Sequence, residues 1–237
     1  MGSDLNQILE WPIGDKLRAY SALMLEDADK LGLTSLRDPE RIFHELVLDS
    51  VAARDWLPEY AKVLDIGSGG GCPGIPLAIC RDDCKFTLVD ANGRKAGFLQ
   101  RVKTELKLDN VEIVNARSED LAQLPAYRAM YERVVAKAVA AMPTLLELSL
   151  PFLKMHCSLI AYKGPSVQQE IDSAKYALFE LKGKVTRLEP YSNGERSLML
   201  CEVAKIAPTP KRYPRRAGMP GKEPLMGKVP SAALVSE

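Results

Sequence analysis

Apolar positions in the first quarter of the chain recur at helical spacing. Leu17, Tyr20, Leu23, Met24, Leu25 and Leu31 form one stripe, and Gly32 supplies a stop. A second helix is predicted over "RDPERIFHELVLDSVAARDWL", with Asp38 as N-cap and Pro39 in the first turn. Ile42, Phe43, Leu46, Val47 and Val51 continue its buried face. Residues 1–60 therefore read as a helical extension.

From Ala61 the period changes. "KVLDI", "KFTLVD", "VEIVNA", "ERVVAKAV" and "CSLIAYKG" are short apolar, β-branched runs. Helical stretches such as "PGIPLAICRD" and "NGRKAGFLQRVKTELKL" alternate with them. Strand and helix in alternation predict a parallel sheet covered on both faces. "KVTRLEPYSNGERSLMLCEVAKI" differs, since Ser192-Asn193-Gly194 separates two strand-like runs and predicts an antiparallel hairpin. Residues 61–206 thus form an α/β core ending in a hairpin. Residues 207–237, rich in proline, glycine and basic side chains, read as a loop or tail segment.

Composition narrows this picture only slightly. With 237 residues, 46% hydrophobic and 27% charged, the chain is an ordinary globular one, and its net charge of +1 nominates no partner. Five cysteines form no Cys-x-x-Cys pair, which points to reduced thiols in a cytoplasmic setting. Two histidines, His44 and His156, share no motif, so neither a metal site nor a Ser-His-Asp triad is expected. The first twenty residues do not read as a signal peptide, and no apolar run approaches the ~20 residues of a membrane span. Charge is concentrated at one end: from Lys205 to Lys228, seven basic residues stand against Glu223 alone.

The candidate chemistry lies in "VLDIGSGGGCPGIPLAIC", residues 63–80. Glycines between the first strand and helix of an α/β sheet mark a ligand crevice, where the backbone turns sharply and approaches a ligand closely. Gly69-x-Gly71-x-x-Gly74 matches the dinucleotide fingerprint. Yet Gly69 comes several residues after the strand, Asp65 would repel pyrophosphate, and Pro73 removes an amide donor. For S-adenosylmethionine, whose sulfonium and amino group are positive, an acidic strand end is favourable. Asp90, ending the second strand, suits ribose hydroxyls in either case. The residues favour the methyl donor and leave a nicotinamide cofactor as the alternative.

At this point the chain resembles the glucose-inhibited division protein B family, from roughly Leu33 to Leu225. "LTSLRDPE", "LDS", "VLDIGSGGGCPGIPLAI", "GRKAGFL", "ARSED", "AYKG" and "RYPRRAGMPGKEPL" are similar to that family's blocks, in the same order. The resemblance implies a Rossmann-like class I S-adenosylmethionine-dependent methyltransferase, with seven mostly parallel strands and a C-terminal antiparallel hairpin. It also implies methylation of nitrogen 7 of a guanine in the decoding-region loop of 16S ribosomal RNA. The partner is then that RNA or the 30S subunit, met by a cytoplasmic monomer without metal or membrane. Donor contacts then fall on Gly67, Cys72, Asp90, Ser118, Glu119 and Lys137, with Gly69 and Gly71 shaping the loop, and the electrostatic reading adds Asp65. Lys137 and Lys163 are the catalytic candidates. Lys163, Arg212, Tyr213, Arg215, Arg216 and Lys222 are the candidate RNA contacts, the basic segment offering phosphate contacts and Tyr213 a stacking ring.

The chain departs from the family at Lys137, where arginine is usual, and at Glu45 and Leu46, which replace arginine and histidine. His44 is a candidate substitute. Cys72 replaces a larger apolar residue. Guanine nitrogen 7 carries a lone pair and no proton, so its attack on a methyl group needs no general base. Two other functions stay open: a nicotinamide-dependent oxidoreductase, and a non-catalytic RNA-binding protein on a methyltransferase fold.

Overall fold

A computed structural model describes residues 10, 12–193 and 196–230. The tip of the predicted hairpin lies outside the described residues. Helix α1 (Ile13–Leu31) buries Leu17, Tyr20, Met24 and Ala28, and Gly32 caps it in the left-handed conformation at φ 60°. Asp38 accepts from the Arg41 amide to start α2 (Pro39–Ile42), as its position before Pro39 predicts. The helix then departs from regular spacing. It widens to π geometry over Phe43–Leu48 and tightens to 3-10 over Val51–Trp56.

The strands are β1 (Lys62–Ile66), β2 (Lys85–Asp90), β3 (Val111–Asn115), β4 (Tyr131–Lys137), β5 (Leu153–Lys163), β6 (Gly183–Asn193) and β7 (Arg196–Lys205). They form a seven-stranded sheet in the order β3-β2-β1-β4-β5-β7-β6. The first five strands are parallel, whereas β7 is antiparallel to both β5 and β6. Helices α3 (Gly74–Cys80), α4 (Gly93–Glu105), α5 (Ser118–Leu121), α6 (Met142–Ser149), α7 (Val167–Ser173) and α8 (Lys175–Leu181) connect them.

Alternation along the strands feeds two cores. Val63, Val135, Ile160 and Tyr162 join Leu17, Tyr20, Met24 and Phe43 on one face. Leu64, Ile66, Val134, Ala136, Leu159 and Ala161 join Leu145, Leu146 and Phe152 on the other. The N-terminal helices thus share a core with the sheet.

The basic C-terminal segment is mostly loop, as its composition predicts, and residues 207–230 of it are seated on the fold and do not trail from it as a tail. Glu147 on α6 is fully buried and accepts from Arg215 Nε at 2.9 Å, Nη2 at 2.7 Å and the backbone amide at 2.8 Å. Thr144 Oγ1 donates to the Pro220 carbonyl at 2.9 Å, and Gln123 Nε2 to the Pro214 carbonyl at 2.8 Å. Tyr213 and Leu225 are buried with the second core, and a short α9 (Met219–Lys222) lies between them. The segment is a strap across α5 and α6.

Candidate active site

The glycine loop leaves β1 at Ile66 and enters α3 at Gly74. Its shape is held from four sides. Ser68 N–H donates to the Val89 carbonyl at 3.0 Å, tying the loop to the end of β2. Asp90 Oδ2 accepts from the Gly69 amide at 2.8 Å, and its Oδ1 from the Asn92 amide at 2.8 Å. Asp65 Oδ2 accepts from the Gly74 amide at 3.1 Å. From the N-terminal helix, the Tyr20 hydroxyl donates to the Gly70 carbonyl at 2.6 Å and lies 3.4 Å from Cys72 Sγ.

Glycine is required at two points in particular. Gly71 has φ +102°, and a Cβ there would stand 2.8–2.9 Å from Ile75, the Tyr20 hydroxyl and Leu99. Gly67 has φ +63°, and its Cβ would press on Val139 at 3.2 Å. By contrast, a Cβ on Gly69 would meet only the Gly67 carbonyl, at 3.8 Å. The outer side of the loop is therefore open backbone, which fits a ligand laid along it.

Asp65 does not have the role its electrostatics suggested. It is 1% exposed, and burial pushes its carboxyl up to about 7, with the Gly74 amide opposing. It forms no ion pair among the described residues. Its observed contact is with the start of α3, not with the open side of the loop.

Beyond the loop lies a cavity of about 490 Å³, lined by Asp49, Lys137, Ala138, Val139, Ala140, Ala141, Tyr162, Lys163, Gly164, Glu170, Tyr191 and Leu198. Val139 joins it to Gly67, and the ends of β4 and β5 form its floor. Lys137 Nζ pairs with Asp49 Oδ2 at 2.5 Å and reaches the Leu46 carbonyl at 3.3 Å and Ser50 Oγ at 3.4 Å. Lys163 Nζ pairs with Glu170 Oε2 at 2.7 Å and donates to the Ala140 carbonyl at 2.9 Å. Tyr162 and Tyr191 meet edge to face at 6.1 Å, with Lys137 Nζ 5.8 Å from the Tyr162 ring.

The residues expected from sequence divide between several places. Gly67, Gly69, Gly71, Cys72 and Asp90 meet at the loop, and Lys137 and Lys163 at the cavity. Glu119 is buried on α5, where its Oε1 accepts from the Gly218 amide of the strap at 2.8 Å, with Ser118 beside it in sequence. His44 is half exposed and stands 3.6 Å from Glu40; it does not line the cavity, so it is no substitute for the family histidine there. Tyr213 is not available to stack on a base, being buried with its hydroxyl 3.0 Å from Glu180 Oε2. Arg212 also pairs with Glu180, and Arg215 is committed to Glu147. Arg216 and Lys222 remain exposed, with no ion-pair partner among the described residues. Sequence reasoning missed Asp49, Tyr162, Glu170 and Tyr191.

The sheet order, the open glycine loop after β1 and the acid ending β2 define a class I S-adenosylmethionine-dependent methyltransferase. Solved structures share the fold. An S-adenosylmethionine-dependent methyltransferase from Aquifex aeolicus matches with TM-score 0.54 at 18% identity, over 73% of this chain and 97% of that one. M. jannaschii TYW2 in complex with AdoMet matches with TM-score 0.54 at 17% identity, over 68% and 76%.

The family model for rRNA small subunit methyltransferase G (GidB) matches residues 13–199, and the chain belongs to that family. The Ribosomal RNA small subunit methyltransferase G of Brevibacillus brevis is 38% identical over 213 residues, 87% of this chain and 89% of the relative. That of Chloroflexus aggregans is 41% identical over 199 residues, covering 83% and 84%. The chain is an S-adenosylmethionine-dependent rRNA methyltransferase. No helix among the described residues is long and apolar enough to cross a membrane.

Proposed function

We propose that the chain methylates nitrogen 7 of a guanine in the decoding-region loop of 16S ribosomal RNA, acting as a monomer on that RNA or on the 30S subunit. One observation carries the choice of atom. Both carboxylates lining the cavity are already paired with lysines, Asp49 with Lys137 and Glu170 with Lys163, and neither His44 nor His156 lines it. The cavity therefore suits a nucleophile that brings a lone pair and no proton, as guanine nitrogen 7 does.

The donor would lie along Gly67, Gly69, Gly71 and Cys72, with its ribose toward Asp90 and its adenine toward Ser118 and Glu119; bound there, it supplies an electrophilic methyl group. Asp65 supports this site from behind by holding Gly74. Lys137 and Lys163 line the base cavity, and their part in the reaction is to orient the guanine. Orientation of this kind can supply up to roughly 7–11 kcal/mol of the barrier. Lys163, Arg216 and Lys222 are the proposed RNA contacts, while Arg212 and Arg215 act chiefly by seating the strap.

The test is mass spectrometry of 16S RNA from a strain lacking the protein, with the purified protein then added to its 30S subunits and to deproteinised RNA. Restoration of one nitrogen-7 methylguanine is expected. A methyl group restored at any other atom would overturn the choice of nucleophile, and donor binding without transfer would favour a non-catalytic role.

A further inference from the structure

Methyl transfer to guanine nitrogen 7 moves a positive charge. The lone pair of nitrogen 7 forms the new bond to carbon while the carbon–sulfur bond breaks, its electron pair staying on sulfur. No proton is released in that step, and the base becomes a cation. A site that speeds the reaction needs an acceptor placed where the cation forms.

Asp49, which lines the cavity, carries one unusual oxygen. Asp49 is 3% exposed, and its Oδ2 is taken up by Lys137 at 2.5 Å, with the Tyr191 hydroxyl 3.5 Å away. Its Oδ1 is buried and has no hydrogen-bond partner among the described residues. A stranded buried acceptor is costly and calls for an explanation. Glu170, the other carboxylate of the cavity, differs: it is more exposed, and its Oε2 is shared by Lys163 Nζ and the Met142 amide at 3.0 Å. The remaining orphan, Asp65 Oδ1, lies on a residue that does not line the cavity.

We infer that Asp49 is the group that receives the base: its Oδ1 accepts from the N1–H and exocyclic amine edge of the guanine, opposite nitrogen 7, and stabilises the positive charge arriving there. Resting as it does on the nitrogen-7 reading above, this assigns Asp49 both selectivity and rate. Guanine alone among the four bases offers two adjacent donors on that edge. Those donors strengthen as the ring becomes cationic, so the contact is stronger in the transition state than in the ground state. Lys137 holds the other carboxylate oxygen and fixes the orientation. Its charge and that of Asp49 cancel, so the pair adds no net positive charge beside the forming cation.

The experiment uses 30S subunits reconstituted on 16S RNA carrying either guanine or inosine at the target position. Inosine keeps nitrogen 7 and N1–H and lacks only the exocyclic amine. Single-turnover transfer by the wild-type protein should slow about 10-fold or more with inosine, the cost of one hydrogen bond to a charged group. Asp49→Asn should slow transfer to guanine about 100-fold and show less than a 2-fold further loss with inosine, because the two changes remove the same contact. Equilibrium affinities for the two subunits, measured with S-adenosylhomocysteine bound, should show the same non-additivity. Donor affinity of Asp49→Asn should stay within 3-fold of wild type. Equal wild-type rates on guanine and inosine would overturn the assignment without any variant having to fold, and so would additive losses. If the methyl maps to another atom or nucleotide in the wild-type reaction, the nitrogen-7 reading itself has failed, which the position of the label distinguishes.

Discussion

Replacing Tyr20 by phenylalanine removes the hydroxyl contacts between the N-terminal helix and the glycine loop. The ring is fully buried, so phenylalanine keeps its packing and removes only the hydroxyl. That hydroxyl donates to the Gly70 carbonyl at 2.6 Å and fills the space a side chain on Gly71 would need, 2.8 Å from a Cβ there. The loss leaves a part-buried carbonyl without its donor. An intramolecular bond is worth about 0.5–1.5 kcal/mol net, and a stranded buried acceptor about 1–3 kcal/mol, so a loss of ~1–2 kcal/mol is expected. Urea unfolding should show a lower midpoint at unchanged slope. Calorimetric titration with S-adenosylmethionine should show about 5–30-fold weaker binding if the cost falls on the loop conformation that binds the donor, since each 1.4 kcal/mol is tenfold. A variant with the wild-type midpoint and wild-type donor affinity would refute the idea that α1 pins this loop.

Gly71→Ala should abolish measurable donor binding in the same titration, since its Cβ meets three neighbours under 3.0 Å at φ +102°. Arg215→Ala should cost about 3–5 kcal/mol in urea unfolding by leaving Glu147 buried without its cation. Arg216→Ala should leave stability within about 0.5 kcal/mol, weaken RNA binding, and lower the salt slope by about 1 in filter-binding titrations. Asp65 titrates near 7 when folded and near 3.9 when unfolded, so the folded chain holds the extra proton between those values. Stability should therefore fall as pH rises from about 4 to 7, by at most roughly 4 kcal/mol, and level off above. Asp65→Asn should remove that slope from urea midpoints measured at pH 5, 6, 7 and 8, and an unchanged slope would assign the effect elsewhere.

Local features were legible wherever the chain uses local chemistry. Gly32 ends α1, Asp38 and Pro39 begin α2, and the five parallel strands fall on the apolar runs. What the sequence did not disclose depends on partners far along the chain. Glu147 in "MPTLLELS" is an acid inside an apolar helix, and that was a usable signal: a buried carboxylate requires a cation, and the basic run 68 positions later provides it. Asp65 was misjudged because a strand-end acid reads alike whether it faces a ligand or supports a loop from behind. Asp49 was passed over because "LDS" looks like a helix interior. Only the packing of the π-wound turn against the end of β4 brings its carboxylate to Lys137.

The N-terminal helix and the C-terminal strap bear on the proposed donor site in a way that a bare α/β sheet would not require. The N-terminal helix reaches the glycine loop through Tyr20, and the C-terminal strap reaches α5 through the bond from Gly218 to Glu119. The first contact is made to a loop and the second to a four-residue helix. Local stability is lowest in such segments, and a ligand that needs them ordered loses affinity when they loosen. Arg215 therefore has a second consequence beyond unfolding. By seating the strap on Glu147 it also sets where Gly218 meets Glu119, so Arg215→Ala should weaken donor binding even at temperatures where the core remains folded. Glu119→Gln, which keeps an acceptor for the Gly218 amide, should preserve the strap and its midpoint. Limited proteolysis between residues 211 and 222 separates the two cases, with rapid cleavage in the first variant and wild-type resistance in the second. Equal resistance in both would place the strap's anchorage in Thr144 and Gln123 instead of the buried ion pair.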